Sequence, residues 1–181
     1  MFSDKSSRFL ALWFPHLPTD RLKRENPQRA RSDQYLIVVD KVVNALRLVA
    51  VDQRAAKAGL YKGMALTDAR AQFEKLDIAF ASPRQDMVLL EKLADWCDRY
   101  TPLVAFDHPD GLVLDITGCI HLFGDEHCLL EDIHSRLNQH GMVVRSAIAN
   151  NAAAARAVAR YSAGGVIGKV QELKLHNLHL A

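Results

Sequence analysis

The apolar positions of this chain fall into short runs separated by longer amphipathic stretches. The runs are four to eight residues long, and Gly, Pro, Asn or Asp often follows them, which is typical of strands in a sheet. Pro15 and Pro18 stop the first run. The pattern predicts strands at residues 8–14, 35–39, 46–51, 103–107, 112–117 and 142–149.

The remaining segments show helical spacing or enrichment in alanine. Ser82 and Pro83 form a cap and first-turn pair, and the apolar stripe that follows reaches Cys97. Another helix is predicted to begin at a turn rich in acidic residues and to end before Gly141. The pattern predicts helices at residues 52–58, 65–73, 83–97, 125–140 and 151–161, the last of them stopped by Gly164 and Gly165.

The order of these elements predicts the fold class. Without residues 19–81, the order is strand, helix, strand, strand, helix, strand, which is the split βαβ or ferredoxin-like pattern. We therefore expect an α+β protein in which two helices cover one face of the sheet. The omitted stretch is an insertion after the first strand, large enough for a subdomain of its own.

Composition places the chain among globular proteins, and its charge is unevenly distributed. Hydrophobic residues make up 49% and charged residues 24%. No apolar run reaches the roughly 18 residues of a membrane span, and residues 1–8 carry no signal-peptide pattern, so we expect a cytoplasmic protein that does not contact a membrane. Three cysteines without framework spacing also fit a reducing compartment.

Both ends of the chain are basic. Residues 1–31 carry seven Lys and Arg against three Asp and Glu, whereas residues 85–134 carry two against eleven. Basic ends could meet a phosphate backbone or an acidic protein surface, and an ordinary solvated surface explains the charge equally well.

The candidate chemistry centres on residues 101–117, TPLVAFDHPDGLVLDIT. Pro109, Asp110 and Gly111 form a tight-turn signature in which Asp favours a local hydrogen bond and Gly an unusual backbone conformation. Cys119, His121, His127 and Cys128 are zinc-compatible residue types, but their spacing matches no closed zinc site. Cys97 and Cys128 are interpreted as core residues.

Three ordered stretches resemble the Y-family (translesion) DNA polymerases. They are residues 46–76 (LRLVAVDQRAAKAGLYKGMALTDARAQFEKL), 99–126 (RYTPLVAFDHPDGLVLDITGCIHLFGDE) and 143–165 (VVRSAIANNAAAARAVARYSAGG). The resemblance implies a palm with a small fingers subdomain inserted after its first strand. Its expected boundaries are palm at residues 1–18 and 83–165, fingers at 19–82, and the start of a truncated thumb-like region at 166–181.

Within that family, the opening LALWFPHLPTDRL and the stretch DITGCIHLFGDE resemble the ImuB-like branch of inactive relatives. That resemblance implies an adaptor in damage-induced (SOS) translesion synthesis and DNA repair. It implies as partners a sliding clamp, a RecA-like protein and a separate error-prone polymerase.

The metal-binding positions of the family are degenerate in this sequence. The essential Asp of the first palm strand falls at Leu12, and the acidic pair of the hairpin falls at Asp110 and Gly111. Phosphoryl transfer needs two divalent metals held by oxygen ligands. We therefore expect no catalytic residues, no metal and no cofactor. The alternative is an active translesion polymerase with rearranged ligands, such as Asp107 with Asp110, which alone would require Mg²⁺.

The nucleotide-binding positions of the family are degenerate too. The aromatic that excludes ribonucleotides falls at Leu17, the triphosphate-binding Tyr and Arg fall at Gln53 and Ala56, and the palm Lys falls at Ala152. Basic side chains remain nearby, and weak contact with primer-template DNA is expected from Arg54, Arg145, Arg156 and Arg160.

Overall fold

The computed structural model describes residues 7–162 of the chain. In chain order, its strands are β1 (Phe9–Trp13), β2 (Tyr35–Val42), β3 (Ala45–Val51), β4 (Leu76–Phe80), β5 (Val104–Asp107), β6 (Gly111–Asp115) and β7 (Arg145–Ala149). Its helices are α1 (Leu17–Glu25), α2 (Pro27–Arg31), α3 (Gln53–Lys57), α4 (Leu66–Gln72), α5 (Pro83–Cys97), α6 (Glu126–Gln139) and α7 (Ala152–Tyr161), with a short 3-10 helix at Ile120–Phe123.

The chain divides into two compact units, which are described separately. Within the described part, the first unit comprises residues 7–13, 97–134 and 145–162. The second unit comprises residues 14–96 and 135–144.

The first unit contains an antiparallel four-stranded sheet. Its strand order is β5-β6-β1-β7, with Trp13 opposite both Gly111 and Arg145. This order confirms the α+β, ferredoxin-like prediction. The register also brings the end of β1 beside the turn between β5 and β6, where the family resemblance locates the active site.

Small side chains line one face of this sheet. Ala11, Val113 and Ala147 lie side by side on neighbouring strands and pack with Ala155 and Ala159 of α7. Alanine at these positions lets a helix approach a sheet closely, because each Cβ is the whole side chain. The alanine-rich helix is therefore explained by packing.

The opposite face carries larger side chains. Leu10, Leu12 and Leu114 alternate with the small residues and are buried. On this side, His134 Nε2 of α6 lies 2.7 Å from Ser146 Oγ of β7, and burial lowers the pKa of His134. Thus α6 and α7 lie on different faces of the sheet, and α7 is additional to the two helices of the predicted pattern.

The second unit contains a three-stranded sheet in the order β3-β2-β4. β2 pairs antiparallel with β3 and parallel with β4. Strand β4 was missed by the sequence analysis, although Leu76, Ile78 and Phe80 alternate with smaller or polar residues. The core of this unit comprises Ile37, Val39, Leu48, Val51, Ala55, Leu60, Met64, Leu66 and Ala69.

Most of the predicted ends of elements are confirmed within one to three residues. Asp52 caps α3, since its Oδ1 accepts from Ala55 N at 2.7 Å, and Gly59 follows that helix with a φ of +103°. Gly141 has a φ of +70° after α6. The predicted stop at Gly164 and Gly165 lies outside the described residues. Within residues 7–162, no helix has the length and apolarity that a membrane span requires.

Candidate functional site

An arginine from the last helix occupies the hairpin end of the first unit. Arg160 of α7 reaches the turn between β5 and β6, where its Nη1 donates to Asp110 Oδ1 at 3.0 Å and its Nη2 to Asp107 Oδ2 at 2.9 Å. Burial opposes the charge on Arg160, but hydrogen bonds to Asp107 and Asp110 outweigh it and raise the pKa of the guanidinium. One fixed cation therefore binds both carboxylates.

The three groups are largely shielded from solvent. The side chains of Arg160, Asp107 and Asp110 are 23%, 19% and 14% exposed. Arg156 adds a more exposed ion pair, with Nη1 3.3 Å from Asp107 Oδ1 and a side chain that is 44% exposed. The cluster is thus an ion-pair network whose centre is partly desolvated, where Coulomb interactions are stronger than at an open surface.

Trp13 forms the apolar side of this cluster. The guanidinium carbons of Arg145 and Arg160 lie 5.3 and 5.5 Å from its ring centre. Arg145 also donates through Nη2 to the carbonyl of Ser162. The tryptophan is half-buried and positions Arg160 by cation–π contact, as well as filling space at the end of β1.

Gly111 has a packing role, which corrects the conformational role expected from the turn signature. Gly111 begins strand β6, and its φ is not positive, unlike that of five other glycines in the described residues. A Cβ built at Gly111 would lie 3.0 Å from the carbonyl oxygen of Asp107 and 3.2 Å from both its Cβ and Oδ2. The turn itself contains a cis His108–Pro109 peptide bond. A side chain at Gly111 would therefore contact Asp107 closely from its first carbon onward.

Asp110 also differs from its expected local role. Its carboxylate binds Arg160, 50 residues away in sequence, rather than a backbone N–H of its own turn. Asp115 makes a local contact of this kind, because its Oδ1 accepts from Thr117 N at 2.9 Å.

The residues at this end of the sheet do not fit a pair of Mg²⁺ ions. Mg²⁺ requires near-octahedral oxygen coordination, chiefly from carboxylates, phosphates and water. Leu12, at the position expected for the first-strand carboxylate, is 1% exposed and pairs with Leu112 and Ser146. Asp107 and Asp110 converge as the alternative prediction requires, but they converge on a guanidinium.

In the second unit, the positions expected to bind nucleotide differ in burial and in chemical type. Leu17 is buried, and Gln53 and Ala56 are exposed on α3. Arg54 donates to the carbonyls of Ser32 and Asp33 at 2.6 and 2.7 Å. In the first unit, Ala152 begins α7 and packs against its alanine cluster. None of these five side chains presents a free cationic group in the described structure.

The arginines proposed to touch DNA are therefore all engaged within the protein. Arg54 also lies 5.7 Å from the ring centre of Tyr35. Arg145, Arg156 and Arg160 are held by Ser162, Trp13, Asp107 and Asp110. The sequence analysis missed this pairing. The sequence does show two basic residues one helical turn apart, Arg156 and Arg160, but the carboxylates that they bind lie about 50 residues away.

The remaining candidate metal residues are dispersed. Cys97 is buried as expected, and burial raises the pKa of its thiol to about 12. The expectation that Cys128 belongs to the core is wrong, since it is exposed on α6. Within residues 7–162, no group of three or more His, Cys, Asp or Glu side chains could hold a metal ion.

One carboxyl in the second unit has a strongly perturbed pKa. Asp20 of α1 is buried, and its Oδ2 accepts from Val143 N at 2.9 Å. Burial raises the pKa of Asp20 to about 7, although this hydrogen bond and the charge of Lys23 act in the opposite direction. The arrangement links helix α1 to the segment after α6 and marks a pH-sensitive point in the fold.

The fold matches the palm and fingers of Y-family DNA polymerases. The insertion ternary complex of Dbh DNA polymerase superposes with a TM-score of 0.73 at 16% identity, covering 84% of this chain and 45% of that one. DinB from Sulfolobus solfataricus gives a TM-score of 0.69 at 17% identity with the same coverage. At this identity, the likeness establishes the fold alone.

Sequence comparison identifies the family. Residues 23–160 match the IMS: impB/mucB/samB family, and the chain belongs to that family. Over 103 residues it is 48% identical to Protein ImuB of Caulobacter vibrioides, in strains NA1000 / CB15N and ATCC 19089 / CIP 103742 / CB 15. The match covers 57% of this chain and 22% of those relatives, so the chain spans a minor part of their length. The resemblance inferred from the sequence motifs is confirmed.

Proposed function

We propose that this chain is a catalytically degenerate polymerase module that acts as an adaptor in translesion synthesis. The observation that carries the proposal is the binding of Asp107 and Asp110 by the single guanidinium of Arg160. The carboxylates closest to the family's metal site already have a counter-ion. This ion is tethered to α7 and cannot bind substrate oxygens as a metal does.

The loss of metal ligands removes the main catalytic contribution. In two-metal phosphoryl transfer, the ions clamp the attacking and leaving oxygens and neutralise the developing charge. Leu12 supplies no ligand oxygen, and Gly111 supplies no side chain. With nothing positioned to stabilise the transferring phosphate, the palm would retain its shape but lose its chemistry.

The adaptor role is what the resemblance to the ImuB-like branch implies, and the 48% identity to Protein ImuB and the retained fold support it. A polymerase-shaped module without catalysis can still place other proteins at a primer end. We propose that its partners are those implied by the branch: a sliding clamp, a RecA-like protein and an error-prone polymerase that performs the synthesis.

DNA contact is proposed to be weak. Phosphate contacts position a protein without requiring an active site. However, Arg156 and Arg160 would have to exchange Asp107 and Asp110 for phosphates, and the two carboxylates would repel the backbone. We therefore expect low affinity that falls steeply with salt.

An active polymerase with rearranged ligands is the second candidate, because Asp107 and Asp110 do lie close together. It would require Arg160 to leave the carboxylates when metal and nucleotide bind. The network of two ion pairs and a cation–π contact argues against that movement.

Primer extension tests the proposal directly. The chain is incubated with a labelled primer-template, the four nucleotides and Mg²⁺, and we expect no extension. An active Y-family polymerase cut to the same palm and fingers region, beside its full-length form, shows how much activity such a fragment retains. Extension by this chain that is lost in Asp110→Asn would refute the proposal.

A further inference from the structure

An apolar groove with a basic rim runs along helix α5 in the second unit. It consists of two adjoining cavities of about 400 and 260 Å³ that share Arg24, Leu89 and Lys92 as lining residues. Its apolar lining comprises Val88, Leu89, Leu93, Trp96, Leu137 and Met142. Since the shared residues join the cavities, they form one continuous groove.

The groove follows one stripe of the helix. Gln85, Val88, Lys92 and Trp96 succeed one another at intervals of three or four residues, which places them on the same face of α5. At 1.5 Å per residue, this stripe is about 17 Å long, which is the length of three helical turns. Val88 is 42% exposed and lines the groove, so this stripe presents an apolar side chain to solvent.

The charge at the rim is positive. Arg24 donates through Nη1 to the carbonyl of His140 at 2.7 Å, which is a neutral acceptor, and its charge also acts on the buried Asp20. Lys92 is exposed, and neither side chain has a carboxylate partner within residues 7–162. Two exposed cations therefore flank the apolar floor.

The acidic residue in the lining shares one cation with a second carboxylate. Glu25 is bound by Arg21 at 2.9 Å, and Arg21 also pairs with Asp86 at 2.7 Å. Arg21 is 5% exposed, and its Nη2 has no acceptor among the described residues. The groove thus has more hydrogen-bond donors and positive charge than its own carboxylates satisfy, which suits an acidic occupant.

We propose that this groove binds an acidic amphipathic segment of another protein. Apolar side chains at i, i+3 or i+4 and i+7 of that segment would contact Leu89, Leu93 and Trp96, and Asp or Glu beside them would pair with Arg24 and Lys92. The proposal gives the adaptor role one docking surface and rests on that role for its biological setting. Peptide binding itself is independent of whether the palm is catalytic.

Peptide display tests the chemistry of the occupant. Random 16-residue peptides are selected on the immobilised chain and counter-selected on Val88→Glu. We expect the recovered peptides to combine apolar residues at helical spacing with an excess of Asp and Glu. Recovery of basic peptides, or of none that depend on Val88, would overturn the proposal.

Matched substitutions then locate the binding. In fluorescence anisotropy with the selected peptide, Val88→Glu and Lys92→Glu should each weaken binding at least tenfold. The same changes at exposed positions elsewhere in the unit, Val43→Glu and Lys62→Glu, should leave it within twofold. Equal effects at both pairs of positions would contradict the assignment.

Two competing occupants give distinct results. A second copy of the chain would appear as a dimer in sedimentation velocity that Val88→Glu dissociates. An oligonucleotide that displaces the peptide would show that the groove takes phosphates. Either result overturns the proposal, and neither bears on primer extension, so failure here is separable from failure of the proposed loss of catalysis.

Discussion

Replacing Arg160 with alanine should expose what the guanidinium does at the hairpin end. The change leaves Asp107 and Asp110 side by side without their shared cation, in positions 19% and 14% exposed. Exposed ion pairs contribute about 0–1 kcal/mol, and removing one partner of a buried pair costs about 3–5 kcal/mol. A network that is about four-fifths buried lies between these limits, and loss of the Trp13 contact adds to the cost. We expect a loss of about 2–3 kcal/mol.

The second effect should be a new response to divalent ions. The two freed carboxylates form a weak cation site of the kind that wild-type protein neutralises internally. With a Kd of about 1 mM, 10 mM Mg²⁺ stabilises the folded variant by about 1.4 kcal/mol. For a chain of this size, that corresponds to a rise in Tm of about 3–6 °C. Wild-type protein should show no comparable rise.

Urea denaturation and thermal melts measure both effects. Melts with 10 mM MgCl₂ are compared with melts in NaCl of equal ionic strength, so that screening alone is subtracted. Arg156→Ala is the matched control, because its ion pair with Asp107 is longer and its side chain 44% exposed, and it should cost under about 0.5 kcal/mol. Equal losses in the two variants, or an Mg²⁺ response in wild-type protein, would refute the reasoning.

Two further changes test the fold around the sites. Gly111→Ala should cost about 1–3 kcal/mol in urea denaturation, because its Cβ would meet the carbonyl oxygen of Asp107 at 3.0 Å, and an unchanged midpoint would contradict the packing role. Asp20→Asn should remove a pH dependence: the pKa of Asp20 is raised from 3.8 to about 7, so stability present at low pH is lost as pH rises to 7, by roughly 4 kcal/mol. Asp20→Asn should therefore have a flatter stability profile between pH 4 and 7, while the exposed Asp40→Asn should keep the wild-type slope.

Local signals sufficed for most of the fold. Caps such as Asp52 and Gly141, the periodicity of α5 and the order of strands and helices all act within a few residues or through alternation along the chain. The parallel strand β4 was missed because its identity depends on pairing with β2 across about 40 residues. Placement of α7 on the small-residue face also required the tertiary structure, since the sequence shows the alanines but not their partner.

The candidate site was predictable only as a set of missing groups. The sequence shows Leu12 and Gly111 where carboxylates are expected, and both positions are structurally explained by burial and by close packing with Asp107. The binding of Asp107 and Asp110 by Arg160 could not be inferred, because an arginine on an amphipathic helix is ordinarily solvent-facing. Its role depends on the direction of one side chain toward a turn 50 residues away.

Electrostatics gives the residues at the hairpin end a common explanation. A palm that loses its metals retains carboxylates near the hairpin, and neighbouring negative charges destabilise a fold unless a cation joins them. An arginine on α7 supplies that cation with five donors in a rigid fork and a flat face for Trp13, and lysine would match neither geometry. The same side chain occupies both carboxylates, so neither is free to bind a divalent cation while the ion pairs are in place. Under the proposed function, preservation of the polymerase shape and loss of the polymerase reaction would have one physical cause at this site.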